Sequence, residues 1–460
     1  MRAMNPVIFV FRRDLRLVDN TALNKARASG SPVITLFVRD QRQFEPHPYR
    51  SEFGLRFLKQ SLVELDRELA ANGGGLWVVK GLAEEIVPQI AQKYDVKAVY
   101  VNRDYTPFAR RRDEALEAAC KRIGAGFESM DDALLNSPTH VLKDNGQPYT
   151  VFTPFYKRAL KTEVAAPTPL ANGSWFEGSI KEGERATGLV EPESSHPETL
   201  KGGRKAALVS LSAINTLVDY KVNRDFPARS GTSRLSPHHK FGTISIRESY
   251  ARAAELFGTT SDFIRELYWR DFFTQIAFHF PHVFERSFNR AYDAVEWDEH
   301  PDHFDAWCQG MTGFPIVDAG MRELNATGLM HNRVRMIVAS FLTKDLHIHW
   351  RLGERYFAQK LIDYDPAVNN GSWQWAASTG CDAQPYFRIF NPWLQQERFD
   401  PECRYIKKWV PELESWTAKE IHNPERDLLR RGSYPESIVD HAREKKRTEE
   451  LFARALKRGG

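Results

Sequence analysis

Cysteine is scarce. The chain holds four, Cys120, Cys308, Cys381 and Cys403, and no two share a Cys-x-x-Cys spacing. That excludes a disulfide scaffold or a zinc ribbon and makes a reducing compartment the default. Long apolar runs are also missing, since none approaches the roughly 20 residues of a membrane span. The N-terminal run 7–11 is cut at once by Arg12, Arg13 and Asp14, so it reads as a buried strand and not a secretion signal. A soluble intracellular protein is expected, cytoplasmic or nucleoid-associated if the source is a prokaryote. Charge of one sign is not in excess either: 64 basic residues face 60 acidic ones, net +4. This does not describe a nucleic-acid coat protein, although it leaves room for a local basic patch. His279/His282 and His300/His303 have spacings a metal could use, but no His-Glu-x-x-His motif accompanies them, and no metal is expected.

What is present is ample core material. Hydrophobic residues make up 42% and charged residues 27% of 460, which excludes a disordered or collagen-like chain. At about 150 residues per domain, two or three domains are expected. Aromatics reach 12%, with 11 Trp, an allotment that suits stacking or electron chemistry as well as packing.

Residues 1–130 alternate short apolar runs (7–11, 33–38, 76–80, 98–101) with amphipathic stretches such as 53–69 and 82–93. This predicts an α/β, doubly wound, Rossmann-like domain with a parallel sheet, whose ligands bind at the carboxyl ends of the strands. The dinucleotide fingerprint is absent, because Ser129 stands where the third glycine after Gly124 and Gly126 belongs. Residues 131–203 are rich in Pro, Gly and Ser without strong periodicity and read as a long wrapping linker. From 204 to 460 the periodicity is helical (204–217, 246–257, 261–280, 315–327, 332–343), which predicts an all-α domain. The basic run Lys445-Lys446-Arg447 reads as a solvated helix face.

Three stretches concentrate chemistry. In Thr232-Ser233-Arg234-Leu235-Ser236-Pro237, Ser followed by Pro predicts an N-cap at Ser236, and the free amides of that helix start make an anion cradle; a capped helix with nothing bound is the alternative. Glu266, Trp269 and Arg270 fall on one helix face, where a carboxylate, an indole and a guanidinium suit a base and its phosphate. An ordinary amphipathic helix with an internal Glu–Arg pair fits equally. The densest stretch runs from Asp363 to Trp375 and includes Asp365-Pro366, Asn369-Asn370-Gly371 and Trp373-Gln-Trp375. Residues two apart on a helix diverge by about 200°, so Trp373 and Trp375 must serve opposite sides.

In order along the chain, Phe9-Val-Phe11-Arg12-Arg13-Asp14-Leu15-Arg16, Thr232–Ser236, Glu266–Asp271, Met330-His331-Asn332-Arg333-Val-Arg335-Met336, Asn369-Asn370-Gly371, Trp373-Gln-Trp375 and Tyr386-Phe387-Arg388-Ile-Phe-Asn391-Pro392 resemble the photolyase/cryptochrome flavoprotein family, and within it the class I cyclobutane pyrimidine dimer photolyases. The resemblance implies an antenna domain joined to a helical domain that holds FAD. It places Tyr220, Thr232, Ser233, Arg234, Leu235, Ser236 and Phe263 among the FAD contacts. Arg335 and Asp363 would pair beside the flavin ring, with Asp365 close by and Asn369 facing N5. Asn at that last position is the photolyase choice, where plant cryptochromes carry Asp and insect ones Cys. It further implies an electron-transfer chain of Trp373, Trp350 and Trp297. Glu266, Asn332 and Met336 would touch the lesion, whereas (6-4) photolyases carry His at the positions of Asn332 and Met336. Arg224, Trp269, Arg270, Arg333, Trp375, Arg388 and Gln395 would form the DNA surface, with Trp269 and Trp375 sandwiching the flipped dimer. His331, turned about 100° from Asn332, reads as structural.

The function implied is light-driven repair of cyclobutane dimers in DNA, with damaged DNA as partner, no membrane, no obligate protein partner and a monomeric chain. A cryptochrome-type photoreceptor is the rival from another class; Asn369 and an end at Gly460 without a long tail speak against it. A (6-4) photolyase and a light-independent flavin oxidoreductase are the remaining alternatives. For a second chromophore, Arg103 and Val283-Phe284 stand where folate-binding members carry an acid and a Cys-Lys pair. The segment 102–110, with Arg50 and Asp104 as polar contacts, looks instead like members that bind a deazaflavin or a flavin.

Overall fold

A computed structural model describes residues 5–189, 196–217, 219–423 and 434–459. The chain divides into two compact units, one drawn from 1–195, 200–215 and 233–279, the other from 196–199, 216–232 and 280–460.

The first unit is built on a six-stranded sheet: β1 (Val7–Phe11), β2 (Val33–Arg39), β3 (Leu76–Lys80), β4 (Ala98–Asn102), β5 (Gly126–Met130) and β6 (Gly183–Arg185), in the order β5-β4-β1-β2-β3-β6. β1 lies at the centre with every residue buried, and pairs in parallel with β2 (Val7 opposite Val33) and β4 (Ile8 opposite Val99). The order reverses between β1 and β4, which opens a crevice at their carboxyl ends. The helices Thr21–Ala28, Glu52–Ala71, Ala83–Lys93 and Pro107–Arg122 connect the strands. Asn20, Ser51 and Thr106 cap three of them by accepting backbone amides.

Two expectations need correction. The sheet is mixed, because β6 runs antiparallel to β3, and β6 comes from the stretch read as a linker. That stretch also contains the helix Phe152–Ala159. Pro154 lies in its first turn, where a missing N–H costs nothing, so the prolines there do not prevent a helix. Glycine is required at 183, since a Cβ would come within 2.9 Å of the Val78 carbonyl oxygen on the neighbouring strand. Buried Asp66 fastens β6 by accepting from the Leu76 amide, the Arg185 guanidinium and the Thr187 amide, contacts that hold its carboxyl below the usual range despite burial. The start of the stretch is fixed as firmly: Asp132, fully buried, takes ion pairs from Arg16 at 2.6 Å and Arg247 at 2.8 Å.

The second unit is helical, with the helices Pro301–Gln309, Pro315–Thr327, Asn332–Lys344, Trp350–Lys360, Pro366–Ala376, Pro392–Phe399, Arg404–Trp409 and His441–Gly459. Its core gathers Trp307, Phe314, Met321, Phe341, Trp350, Phe357 and Trp373. On the last helix Lys445 and Lys446 are exposed, but Arg447 is not part of a solvated face: it pairs with Asp298 at 2.6 Å and meets His347 Nδ1 at 3.2 Å. No helix among the described residues is long and apolar enough to cross a membrane.

Candidate active site

In the second unit, the helix Pro366–Ala376 organises the site. Asp365 caps it, its carboxylate accepting from the amides of Ala367 (3.0 Å) and Val368 (3.1 Å), with Pro366 in the first turn. Asn370 donates to the Val283 carbonyl (3.0 Å) and to Glu354 Oε1 (3.3 Å); one turn on, Gln374 donates to the same carbonyl and to Asn370 Oδ1, both at 3.0 Å. These two amides are therefore spent on structure. Asn369 is buried and donates its Nδ2 to the Glu354 carbonyl at 3.1 Å, which fixes the side chain and turns Oδ1, an acceptor with no hydrogen-bond partner among the described residues, the other way. Trp373 is buried against Phe357 (4.9 Å) and Trp307 (6.2 Å), whereas Trp375 is half-buried.

Glu354 is a residue that sequence reasoning did not single out. It is buried on the helix Trp350–Lys360, and burial pushes its carboxyl up to about 7 against the pull of the Asn370 amide and of Arg351 and Arg355. Nothing in the periodicity marks it; only the partners it acquires in the fold do.

Arg335 projects from the helix Asn332–Lys344 and forms a two-pronged bridge to Asp363 at 3.2 and 3.0 Å, steadied by an Nε bond to the Met330 carbonyl at 2.8 Å. Asn332 and Met336 meet one turn apart, amide nitrogen to sulfur 3.9 Å, with Asn332 exposed. His331 is the N-cap of this helix and accepts the Arg333 amide through Nδ1 at 3.2 Å. Arg333 pairs with Asp225 at 2.7 Å and lies 4.2 Å from the Phe399 ring centre. Arg224 and Tyr220 are half-buried neighbours, guanidinium 5.9 Å from the ring; Arg388 is exposed and Gln395 half-buried. Trp350 is buried and Trp297 half-buried.

Thr232 also falls in the second unit, but Ser233, Arg234, Leu235, Ser236 and Phe263 fall in the first. The cap reading fails at Ser236. The helix Ser236–Phe241 is preceded by Leu235 at the cap position with no side-chain cap bond, and Ser233 Oγ accepts the Leu235 amide at 3.4 Å instead. Leu235 is drawn in because its side chain is buried, and Arg234 before it takes a left-handed φ of 52°. Phe263 is buried near Phe257.

The helix Asp262–His279 carries Glu266, Trp269 and Arg270. Trp269 lies flat on Phe152, centroids 3.6 Å apart and planes 4° apart, so one indole face is covered by the protein. Arg270 departs from the phosphate-facing role expected of it. Its side chain is largely buried and Nη1 donates to the Ala133 carbonyl at 2.5 Å, because the 131–136 segment folds over it. Asp271 accepts the Leu135 and Asn136 amides, and burial pushes its carboxyl up to about 7.

At the crevice between β1 and β4, Arg13 pairs with Asp104 at 3.3 Å, and Asn102 donates to Asp14 at 2.6 Å, whose carboxyl burial pushes up to about 6. Arg50 pairs with Glu52 at 2.7 Å. Among the described residues no group of three His, Cys, Asp or Glu is placed to hold a metal, and all four cysteines are buried.

A mixed, largely parallel sheet unit and a helical unit are what the resemblance to the photolyase/cryptochrome flavoproteins implies. The family models agree: residues 7–172 match the DNA photolyase domain, and 263–454 match the FAD binding domain of DNA photolyase. The chain is 39% identical over 466 residues to a deoxyribodipyrimidine photo-lyase of Alkalihalophilus pseudofirmus, covering 96% of each. Among solved structures it is similar to an archaeal photolyase from Sulfolobus tokodaii with two FAD molecules (44% identity, TM-score 0.89, 98% of this chain and 100% of that one) and to a Synechocystis cryptochrome (28%, 0.88, 98% and 100%). The chain belongs to the photolyase/cryptochrome family.

Proposed function

We propose that this protein is a deoxyribodipyrimidine photo-lyase that opens cyclobutane pyrimidine dimers in DNA under blue or near-UV light. The observation that carries the choice of lesion is the Asn332–Met336 pair, an amide and a thioether 3.9 Å apart on one helix face. Neither group shuttles a proton at neutral pH. A cyclobutane dimer needs only an electron delivered and returned, whereas opening a (6-4) photoproduct requires a proton to be moved to and from the substrate.

The residues present fit FAD. The side-chain oxygen of Asn369, with its nitrogen already held by the Glu354 carbonyl, suits a ring nitrogen that carries hydrogen in the reduced cofactor. A neutral amide there also adds no negative charge beside an anionic reduced ring, as a carboxylate would. When bound, photoexcited reduced FAD supplies the electron that opens the cyclobutane ring. The Arg335–Asp363 bridge would lie beside the flavin ring, and Tyr220, the Thr232–Ser236 loop and Phe263 would hold the rest of the cofactor. A damaged, poorly stacked dinucleotide leaves the duplex at low cost. Trp269 and Trp375 would stack on it, Glu266 and Asn332 would hydrogen-bond its edges, and Arg224, Arg333, Arg388 and Gln395 would meet the strand. Trp373, Trp350 and Trp297 would relay electrons inward when oxidised flavin must first be reduced.

A second chromophore of the flavin or deazaflavin kind would occupy the crevice at the carboxyl ends of β1 and β4, near the Arg13–Asp104 pair. The two FAD molecules of the Sulfolobus tokodaii photolyase support this choice. Extraction of a methenyl folate from the native protein would overturn it.

The main reading is tested by illuminating reduced enzyme separately with each lesion in a short oligonucleotide. Turnover of the cyclobutane dimer alone is expected. Turnover of the (6-4) photoproduct, or none of the dimer, would refute the assignment.

A further inference from the structure

Two of the tryptophans in the relay share a neighbour. The imidazole of His349 lies 5.3 Å from the Trp297 ring at 49°, and 5.7 Å from the Trp350 ring at 35°. The arrangement is fixed from three sides. His349 is the N-cap of the helix Trp350–Lys360, and its Nδ1 accepts the Arg351 amide at 3.1 Å. Asp298, next to Trp297, donates its amide to the His347 carbonyl at 2.8 Å and bridges Ile348. Phe452 stands edge-on to Trp297 at 6.1 Å. One turn along from Trp350, Gly353 admits Trp373, since a Cβ there would come within 2.2 Å of the indole.

We propose that His349 is a positioning residue of the photoreduction relay, its neutral ring seating Trp297 against Trp350 and coupling the two electronically. The inference rests on the tryptophan relay proposed above. The electron count is simple. Per photon, one electron would leave Trp373 for the oxidised flavin, Trp350 would refill Trp373, Trp297 would refill Trp350 past His349, and a thiol in solution would refill Trp297, losing its proton and leaving as a thiyl radical. His349 ends each cycle unchanged.

Neutrality matters because a cation beside both indoles would raise the energy of an electron vacancy on either. With Nδ1 committed as an acceptor, the ring hydrogen sits on Nε2. A second proton would have to break the cap and place positive charge at the positive end of a helix. Burial and Arg351 push the imidazole down to about 4, with Asp293 opposing.

Two substitutions separate the ring from the cap. His349→Asn keeps a capping side chain and removes the ring; His349→Phe keeps a neutral ring and removes the cap. In the holoenzyme with oxidised flavin, a thiol and blue light, H349N should reduce flavin about tenfold more slowly than wild type, and H349F within about threefold of it. Flash spectroscopy should show the oxidised indole of H349N decaying early by charge return, before thiol can refill it. Unfolding of the apoproteins should rank the other way, with H349F the less stable. Chemically reduced H349N should repair dimers at the wild-type rate. Wild-type photoreduction by H349N, or equal slowing in H349F, would overturn the proposal. Failure of the relay itself would show separately, as wild-type photoreduction by Trp373→Phe.

Discussion

Two tryptophan-bearing helices, one in each compact unit, put similar residue types to different uses. On Asp262–His279 the polar side chains flanking the indole are taken up by the protein: Arg270 by the Ala133 carbonyl, Asp271 by two amides, and one face of Trp269 by Phe152. On Pro366–Ala376 the structural duties fall to Asn370 and Gln374, and the Asn369 oxygen has no hydrogen-bond partner among the described residues. The lesson concerns how ligand residues are found. Residue type and spacing nominate candidates, but a buried polar group must be satisfied by something. What the fold has already satisfied is no longer available to a ligand.

The largest effect is expected of Trp373→Phe. Trp373 is buried one turn along the helix from Asn369, and its replacement should cut light-driven reduction of oxidised flavin by about 100-fold or more. The smaller ring should cost about 1–3 kcal/mol in stability, so repair by chemically reduced enzyme should survive. Flavin absorbance under illumination with a thiol reports the first, and dimer turnover after dithionite the second. Wild-type photoreduction would remove the relay from the proposed mechanism.

Trp269→Ala tests the other helix. The stack on Phe152 at 3.6 Å makes the indole structural on one face, so the variant should lose about 2–4 kcal/mol of stability. Its other face should still matter to the lesion: affinity for damaged DNA should fall by about 1–3 kcal/mol of stacking, and affinity for undamaged DNA much less. Equal losses on both substrates would leave the ring with a structural role only.

A subtler contrast sets Arg270 against Arg388. Arg270 is buried on a carbonyl and Arg388 is exposed. Arg388→Ala should lower the slope of log K against log salt by about 1 while leaving the unfolding midpoint unchanged. Arg270→Ala should do the reverse, costing about 1–3 kcal/mol of stability with the slope intact. A reduced salt slope in the Arg270 variant would restore it to the phosphate-contacting set.

Much of the fold was legible from sequence because β1 to β4 are buried on both faces and read as unbroken apolar runs. β5 and β6 escaped for the opposite reason: Gly-Phe-Glu-Ser-Met and Gly-Glu-Arg are sheet-edge segments without a fully buried residue, and carry no apolar signal. The helix Phe152–Ala159 was hidden by a proline, Pro154, that its first turn tolerates. Within the site, spacing alone put Asn332 with Met336 and Glu266 with Trp269 and Arg270 on common faces, because those pairs lie within one helix. The roles of Glu354 and His349 were not readable, since each depends on partners from distant parts of the chain. Ser236 failed as a cap because burial of Leu235 outweighed a local preference.

Glu354 offers the finest test of that last point, because its role rests wholly on tertiary burial. Its carboxyl is raised from an ordinary value of 4.5 to about 7, so the folded state binds its proton more tightly than the unfolded chain does. Below about pH 4.5 the group is protonated in both states and imposes no penalty. As pH rises from there, the unfolded chain ionises first and stability falls, until the folded carboxyl ionises near 7 and the penalty is complete. Glu354→Gln removes the titration but keeps a carbonyl for the Asn370 amide, and leaves the backbone oxygen that orients Asn369 in place. The variant should therefore match wild type at pH 4.5 and exceed it by about 1–3 kcal/mol at pH 8, read by denaturant unfolding of the apoprotein at both values. A gain of equal size at the two pH values would mean that packing, not ionisation, sets the cost at this position.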